Sequence, residues 1–446
     1  MNRVIPASLA LGTLLVAALP AQAAHQPAHS ADARTSYGTK AVYAPQQNAR
    51  TYQRPPAGYR PVFTENVSRH GSRAASDSED ADLVLALWDQ ADASGQLTRK
   101  GEGFGPTVRA LAAAMAKVGY GNLSGRGEQE MRDTATRMAD RLPSLFSKIA
   151  ADGETIDVVS SGQGRAIASA DRYAGALAAA EPDLTDLIGA TRTDKDLLYF
   201  HKAAGGAAYR DYIDNDERLA ATLKSVTGQP RTAKAAAGVL RGLFTPAFVA
   251  GIEDPVAAAE AVYNLYAIAP AMSEESPGGR GWGMERYISR ADAAWFGYLG
   301  DAEDFYEKGP GFADSDITYK MADVLLDDLF RQVEAKRDGT STLGAELRFT
   351  HAEELIPLAA LMGLPGSTDA VTEAGPYTYA TNTWRGSSVA PLGANIQWDV
   401  FQKGDRYLVR MLYNERETAF KATCRPVAKG SKFYDLDELE RCFGRG

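Results

Sequence analysis

The sequence predicts an α/β fold, with a central mixed, mostly parallel sheet flanked by helices and a mostly helical cap domain inserted into it. Two observations predict this fold class. Short apolar segments rich in β-branched residues alternate with helical patterns at both ends of the chain, which is how strands and helices follow one another in an α/β sheet. Between about residues 190 and 340, helix formers separated by Gly, Pro and Ser loops replace that alternation.

The first 58 residues are predicted to lie outside the fold. Residues 1–24 have the pattern of an export signal: Arg3 precedes an apolar run from Leu9 to Leu19 that is too short to span a bilayer, and a small-residue cleavage site follows it. Residues 25–58 are rich in Ala, Gln, Pro and Ser, and are predicted to be a disordered leader. We therefore expect the mature protein to be secreted or periplasmic.

The predicted core begins with residues 59–190, in which two strands each run into a polar turn. The segment 60-RPVFTENVS-68 has the β-branched and aromatic residues of a short strand, and 155-TIDVVSS-161 has a continuous apolar centre. Helical patterns predict helices over residues 106–118, 128–149 and 165–180.

Residues 191–339 are predicted to form the helical insertion, and residues 340–446 complete the core. The insertion contains predicted helices at 232–242, 255–268 and 318–336. The core then resumes with a strand at 345–349, a helix at 351–362, and two strands at 394–402 and 406–415 that form a hairpin.

Composition narrows the classes of function. The formal net charge is −9, which is unfavourable for binding nucleic acid or an anionic membrane. An anionic ligand would therefore need a local basic pocket. The two cysteines, Cys424 and Cys442, are close together near the end of the sequence, which favours a local disulfide in an oxidising compartment. No histidine is near them in sequence, so we expect no metal site there.

Three predicted strand-to-helix junctions carry basic and titratable side chains: 69-RHGSR-73, 161-SGQGR-165 and 350-THAE-353. Ligands of open α/β sheets bind beyond the carboxyl ends of the strands, where helix N-termini offer free N–H groups. Arg69, Arg73 and Arg165 would converge there, and the fork geometry of guanidinium groups matches the oxygens of a phosphate. The sequence therefore predicts a phosphate site.

His70 has a chemical use within such a cluster. Neighbouring positive charge lowers the pKa of a histidine, so this imidazole would stay neutral and nucleophilic even in acid. It would attack phosphorus and carry a phosphohistidine intermediate. Glu353 would protonate the leaving alcohol oxygen and later activate the water that hydrolyses the intermediate.

Each of these residues also has an ordinary structural explanation. Arg-His-Gly occurs in many turns that have no catalytic role, and Arg165 fits an exposed residue at the start of a helix. Thr350 and Glu353 match the Ser/Thr-x-x-Glu capping box, which would account for the glutamate without any catalysis. His351 fits a residue of a first helical turn.

The three motifs together resemble those of the histidine phosphatase superfamily, acid phosphatase branch, and within it the multiple inositol polyphosphate phosphatase group of phytases. Residues 69–73 match the RHGxR signature, residues 161–170 match the segment of the second arginine, and residues 351–353 match the HAE triplet. Residues 123–146 and 395–415 are similar to further family segments. One departure is that Ala74 and Ala75 follow the first motif, where the family often has a proline.

The resemblance implies a secreted phosphomonoesterase that acts on inositol polyphosphates without a metal or organic cofactor. It implies that His70 is the nucleophile, that Glu353 is the proton donor, and that the phosphate pocket consists of Arg69, Arg73, Arg165 and His351. Lys202, within 197-LLYFHK-202, is assigned as a substrate contact, and His201 beside it as structural. Two alternatives stay open: a broad acid phosphatase acting on sugar or other small phosphomonoesters, and a catalytically silent secreted protein that binds a phosphorylated ligand.

Overall fold

The computed structural model describes residues 33–445, so the predicted export signal lies outside the described residues. Within that range, no helix combines the length and the apolar character needed to cross a membrane. The strands are β1 (Arg60–Arg69), β2 (Thr155–Ser160), β3 (Arg192–Thr193), β4 (Leu343–Thr350), β5 (Asn395–Lys403), β6 (Arg406–Tyr413), β7 (Arg416–Thr418) and β8 (Phe433–Asp435).

Helices occur along the whole of the described chain. They are α1 (Glu79–Ala93), α2 (Phe104–Val118), α3 (Gly125–Arg141), α4 (Pro143–Asp152), α5 (Gly164–Ala180), α6 (Lys195–Leu198), α7 (Ala207–Asn215), α8 (Glu217–Thr227), α9 (Pro230–Leu243), α10 (Pro246–Val249), α11 (Pro255–Ile268), α12 (Arg290–Glu307), α13 (Asp323–Arg337), α14 (Ala352–Leu361), α15 (Gly386–Val389) and α16 (Leu436–Phe443).

The strands form one mixed sheet in the order β3-β2-β4-β1-β5-β6-β7, with β8 paired to β6. The pairings among β1, β2, β3 and β4 are parallel, whereas β5 and the strands beyond it pair antiparallel. The predicted α/β class with a mixed sheet is confirmed. Its parallel part is confined to the four strands that run into the predicted motifs and into the insertion.

Helices cover both faces of the sheet. Successive residues of a strand point to opposite faces, and in β2 the side chain of Val158 packs with α3, α4 and α5, whereas that of Val159 belongs to the cluster that includes α13 and α14. Burial on both faces explains why the centre of β2 is a continuous apolar run rather than an alternating one. Strands β1 and β4 are buried as well, but they include polar and charged side chains such as Glu65 and Arg348. The sheet therefore lies in the interior of the molecule.

One predicted helix is two helices in the structure. The pattern over residues 128–149 was continuous, but α3 ends at Arg141 and α4 begins at Pro143. Proline has no N–H to donate to the preceding turn, and its fixed φ suits the first position of a helix. The chain therefore changes direction at Leu142 and continues as a second helix against the sheet.

The structure differs from the predicted disordered leader over residues 33–58. Tyr43 is 6% exposed, and its hydroxyl donates to Glu415 Oε2 at 2.8 Å. A short 3-10 segment, Ala33–Lys40, precedes it, and the Thr39 carbonyl accepts a hydrogen bond from Arg69. Residues 33–58 are attached to the rest of the protein by isolated contacts of this kind rather than by a regular apolar face. Their sequence therefore has no periodic pattern that would reveal the packing.

The proposed division into a core and a cap, residues 59–190 with 340–446 and residues 191–339, stays a prediction. Helices α1 and α2 of the proposed core share one apolar cluster with α9, α11 and α12 of the proposed cap. From Ala33 onward the chain therefore forms one compact unit.

Candidate active site

The sheet register brings the three sequence motifs to one edge. Arg69 of β1 lies opposite Thr350 of β4, and Ser160 of β2 lies opposite Phe349. The ladder continues one step past these strand ends, since His70 N donates to Thr350 O at 2.9 Å and Ser161 N donates to Phe349 O at 3.0 Å. The residues that follow β1, β2 and β4 are therefore neighbours, as the rule for the carboxyl ends of strands predicts.

His70 is held in one tautomer at this edge. Its ring is 2% exposed, and Nδ1 lies 2.9 Å from the carbonyl oxygen of Gly71. A carbonyl only accepts, so Nδ1 carries the proton and Nε2 keeps its lone pair. Burial, and then the charges of Arg69, His351 and the other two arginines, hold the pKa of His70 well below its usual value. His70 is thus a neutral imidazole with a free Nε2.

The three predicted arginines lie around His70 and keep donors free. Arg69 Nη1 donates to Thr39 O and Ala390 O, at 2.6 and 2.5 Å, and Arg73 Nη1 donates to Ala74 O at 2.8 Å. The Nε atoms of Arg69, Arg73 and Arg165 are buried and have no hydrogen-bond partner within residues 33–445. Buried donors without partners are costly, and an anion bound between the three groups would satisfy them.

His351 completes this group of donors. Its ring centroid is 5.4 Å from that of His70, and its Nε2 lies 2.8 Å from Ser161 Oγ. Its Nδ1 is buried without a hydrogen-bond partner in the described part of the chain. Burial and then the charge of Arg165 lower the pKa of His351 to about 3. The ring is therefore neutral, and it donates to a ligand from Nδ1 when the Ser161 hydroxyl donates to Nε2.

Glu353 lies in the first turn of α14 and lines a pocket of about 320 Å³ together with Arg165, Lys202 and Lys308. Burial alone would raise the pKa of Glu353, but the charge of Lys308, followed by His351 and Arg69, lowers it to about 2. Without ligand the carboxyl group is therefore ionised. Donation of a proton from it requires a bound anion that offsets the surrounding positive charge.

The capping-box alternative for Glu353 is not what the structure contains. The N-cap of α14 is His351, and its side chain makes no cap hydrogen bond. The Thr350 hydroxyl lies 2.9 Å from Glu354 Oε2 and 2.7 Å from Leu198 O. Glu354 is the structural glutamate of this turn: its other oxygen is 2.5 Å from His201 Nδ1. The carboxyl group of Glu353 is left facing the pocket.

Helix α3 fixes the loop that carries His70. Glu130 accepts from Ser72 N at 2.8 Å through one oxygen and from Ser72 Oγ at 2.9 Å through the other. Gly127 lets the two backbones approach, since a Cβ there would lie 1.9 Å from Ser72 O, and a Cβ at Gly71 would lie 2.6 Å from Gly127 O. Ser169 of α5 accepts from Gly71 N at 3.2 Å. The loop is therefore tied to two helices.

A second set of residues near the site went undetected in the sequence. Thr39 Oγ1 donates to Asp304 Oδ2 at 3.0 Å, and Lys308 Nζ donates to Asp304 Oδ1 at 2.6 Å. An aspartate and a lysine four residues apart are common on exposed helix faces, so their spacing alone does not identify them. Only the folded chain brings them to Arg69 and Glu353.

The other predicted residues have clear positions. Lys202 is exposed and lines the same pocket as Glu353. Cys424 and Cys442 form a disulfide with a Cα–Cα distance of 5.2 Å, which joins α16 to the loop after β7. Over residues 33–445 no group of three or more His, Cys, Asp or Glu side chains is arranged to hold a metal ion.

Comparisons with known proteins give one consistent result. The family model of the histidine phosphatase superfamily (branch 2) matches residues 63–414. Multiple inositol polyphosphate phosphatase 1 of Gallus gallus is 25% identical over 407 residues, which cover 87% of this chain and 84% of that protein.

Solved structures of similar proteins extend this result. The Bifidobacterium longum multiple inositol polyphosphate phosphatase in complex with inositol hexasulfate is 32% identical, with a TM-score of 0.86, covering 92% of this chain and 97% of that one. The same enzyme in complex with phosphate is 31% identical, with a TM-score of 0.87 and the same coverage. The phytase from D. castellii has the same fold at 15% identity, with a TM-score of 0.65 over 95% of this chain and 89% of that one.

Proposed function

Since this chain belongs to branch 2 of the histidine phosphatase superfamily and is a phosphomonoesterase, we propose that it hydrolyses inositol polyphosphates through a phosphohistidine on His70. The observation that carries the proposal is the arrangement around that ring. A neutral imidazole with a free Nε2 lies among Arg69, Arg73 and Arg165, whose buried Nε donors have no hydrogen-bond partner among residues 33–445. These groups suit a nucleophile and a binding site for the phosphoryl oxygens.

The first chemical step transfers the phosphoryl group to the protein. His70 Nε2 attacks phosphorus, the ester P–O bond breaks, and Glu353 gives its proton to the departing alcohol oxygen. The arginines stabilise the charge that spreads over the phosphoryl oxygens. In the second step the Glu353 carboxylate takes a proton from water, whose oxygen attacks phosphorus. The P–N bond then breaks, releasing orthophosphate and neutral His70.

The charge of the substrate allows Glu353 to hold the proton that it donates. Before binding, positive charge holds the pKa of Glu353 at about 2. A phosphate dianion among the arginines offsets that charge, and it also repels a carboxylate beside it, so both effects raise the pKa of Glu353. The proton donor is therefore formed in the complex rather than in the free protein.

Cations on the rest of the pocket wall support a substrate with several phosphates. Lys202 and Arg210 line the pocket together with Arg165. Arg210 Nη1 donates to His201 O at 2.9 Å and to Ala203 O at 2.8 Å, so backbone carbonyls hold its guanidinium group in place. No carboxylate of the described residues forms an ion pair with Arg210. The B. longum relative was solved with inositol hexasulfate, a polyanion of the same form as an inositol polyphosphate.

Substrate selectivity tests this proposal. We expect kcat/KM for inositol hexakisphosphate to exceed kcat/KM for a sugar monophosphate, and Arg210→Met to reduce only the former, by about tenfold. Arg241→Met, at an exposed position of α9, is the matched control and should change neither value. Equal kcat/KM values for both substrates would favour the broad acid phosphatase. Binding of inositol hexakisphosphate without turnover would favour the silent binding protein.

We also infer export from the cell, which residues 1–24 predict and the disulfide between Cys424 and Cys442 supports. Disulfides persist mainly in oxidising compartments. Fractionation of the native host and N-terminal sequencing of the mature protein test this inference. A protein found in the cytoplasm with an intact N-terminus would contradict it.

A further inference from the structure

We propose that Lys308, anchored by Asp304, is a positioning residue that acts on the Glu353 carboxyl group and sets the pH range in which this group donates its proton. The inference rests on the proposed role of Glu353 as the proton donor. It assigns a function to a lysine that lies outside the three sequence motifs and directly follows α12.

Lys308 is a held cation rather than a mobile surface lysine. Its side chain is 17% exposed, and Nζ donates to Asp304 Oδ1 at 2.6 Å. The carboxylate of Glu307 lies 3.9 Å from the same Nζ. Lys308 and Glu353 line the same pocket. A side chain of this length loses much rotamer freedom when it is buried, and Asp304 fixes the position of its charge.

A chain of hydrogen bonds connects this charge to the phosphate site. Asp304 accepts from Lys308 through Oδ1, and from the Thr39 hydroxyl through Oδ2 at 3.0 Å. The carbonyl oxygen of Thr39 accepts from Arg69 Nη1 at 2.6 Å. Arg69 directly precedes His70. Lys308 is therefore connected to the residue that precedes the nucleophile, and it lines the same pocket as the proton donor.

Several charged or titratable groups influence the Glu353 carboxyl group, and they act in opposite directions. His351 of its own turn, with Arg69 and Arg73 next to His70, favours the carboxylate. Glu307 at the end of α12 and Glu354 of α14 oppose it. The hydroxyl groups of Tyr199 and Tyr209 also lie near, with their pKa raised by burial.

Burial raises the pKa of Glu353, and among these groups Lys308 does most to lower it. The interaction is mutual: burial would lower the pKa of Lys308, but Asp304, then Glu353 and Glu307, raise it well above its usual value. Lys308 therefore stays positively charged over the whole working range of the enzyme. Its Nζ already donates to Asp304 Oδ1 at 2.6 Å, so Lys308 is less suited than Lys202 or Arg210 to bind a substrate phosphate directly.

The sign of the expected effect follows from this. The ammonium group stabilises the Glu353 carboxylate and so lowers the pKa of Glu353. When the charge is removed, that pKa rises and the protonated form persists to higher pH. The alkaline limb of the proton-dependent step should then move upward, by about one pH unit.

The experiment measures the pre-steady-state release of alcohol at saturating substrate, as a function of pH. Glycerol 2-phosphate is the test substrate because its poor leaving group needs a proton, and p-nitrophenyl phosphate is the reference because its leaving group does not. The variants are Lys308→Met, which removes the charge, and Lys308→Arg, which keeps it. The control is Lys320→Met, since Lys320 also follows an aspartate by four residues but is 73% exposed.

We expect Lys308→Met to move the alkaline limb upward for glycerol 2-phosphate only, and Lys308→Arg and Lys320→Met to keep the wild-type profile. Asp304→Asn leaves the ammonium group without its main counter-charge, so it should move the limb downward and provides a test even if Lys308→Met does not fold. Unchanged profiles in folded variants would overturn the inference. Failure of this inference is distinct from failure of the proposed mechanism. If that mechanism were wrong, Glu353→Gln itself would leave the rate of alcohol release from glycerol 2-phosphate unchanged.

Discussion

At the scale of single residues, the reactivity of His70 depends on one hydrogen bond and on the charges around it. The carbonyl of Gly71 places the proton on Nδ1, and burial together with the arginines keeps the ring neutral. Neutrality at Nε2 is what a nucleophile needs, whereas an imidazolium would have no lone pair to offer. The same arginines that bind phosphate therefore also prepare the nucleophile.

Removal of that nucleophile should abolish turnover. We expect His70→Ala to lose activity by several orders of magnitude on every phosphomonoester, because no other side chain would accept the phosphoryl group. Circular dichroism should show a folded protein, and alkali-quenched wild-type enzyme, but not the variant, should retain phosphate in a bond that is stable to base and labile to acid. A folded variant with retained turnover would refute the assignment of His70.

A second residue-scale prediction separates proton donation from binding. Glu353→Gln cannot protonate the leaving alcohol, so the rate of its release from glycerol 2-phosphate should fall by about 10²–10⁴-fold. Release of p-nitrophenol, which leaves without a proton, should fall far less. The measurement is the pre-steady-state burst, because the second step also uses Glu353. Equal losses on both substrates would indicate that the carboxyl group binds or orients the substrate instead.

At the scale of elements, the structure uses close backbone contact to place the His70 loop. Gly127 in α3 touches the loop at Ser72, and Glu130 one turn later holds the Ser72 N–H and hydroxyl. Helix α5 adds Ser169 at Gly71. The loop is therefore positioned by helices that the sheet itself supports, which suits a site that must hold its geometry without ligand.

Gly127→Ala should disturb that position. The added Cβ would lie 1.9 Å from Ser72 O, so the loop or the helix must shift. We expect a loss of about 1–3 kcal/mol in the free energy of unfolding and a fall of about 10²-fold in kcat/KM, because catalysis is sensitive to shifts near 1 Å. Denaturant unfolding and steady-state kinetics measure the two effects.

The matched control for that change is Gly175→Ala in α5. A Cβ at Gly175 would meet no atom within 4 Å. Replacing glycine by alanine inside a helix should stabilise the protein by about 0.5–1 kcal/mol and leave kinetics unchanged. If both variants lost activity equally, the close contact at Gly127 would not be what positions the loop.

Local pattern predicted the elements that carry the motifs and missed those that complete the site. The segment that became β2 was visible because burial on both faces leaves a continuous apolar run, and the one that became β1 because of its β-branched and aromatic residues. The register of the strands, and hence the meeting of His70 with His351, follows from the rule for parallel strand ends. Thr39 and Lys308 have no comparable signal, because a hydrogen bond between residues 265 positions apart, such as that of Thr39 to Asp304, leaves no local pattern.

At the scale of the whole molecule, a basic site is built inside an acidic protein. The formal net charge is −9, yet Arg69, Arg73 and Arg165 are gathered at one edge of the sheet. Burial lowers the pKa of Arg69 and Arg73 to about 10, and the charge of Arg165 acts in the same direction, whereas Glu353 opposes it. The three guanidinium groups therefore repel one another in the folded protein, and a bound anion would offset that repulsion.

Orthophosphate, the product, should stabilise the folded protein for this reason. A ligand that binds only the native state at one hundred times its Kd adds about 2.7 kcal/mol to the free energy of unfolding. We expect the thermal midpoint to rise with the logarithm of phosphate concentration, at ionic strength held constant with sodium chloride because salt alone screens the cluster.

Two arginines of α5 test whether the stabilisation by phosphate comes from binding among the guanidinium groups around His70. Arg165→Met removes one of the clustered cations, so it should raise the midpoint without phosphate and reduce the increase that phosphate produces. Arg172→Met is the control, since Arg172 is exposed and pairs with Glu128 away from the cluster, and its phosphate response should match that of wild type. If Arg165→Met gained as much from phosphate as wild type does, the anion would bind elsewhere, and the arrangement of guanidinium groups around His70 would not be the phosphate site.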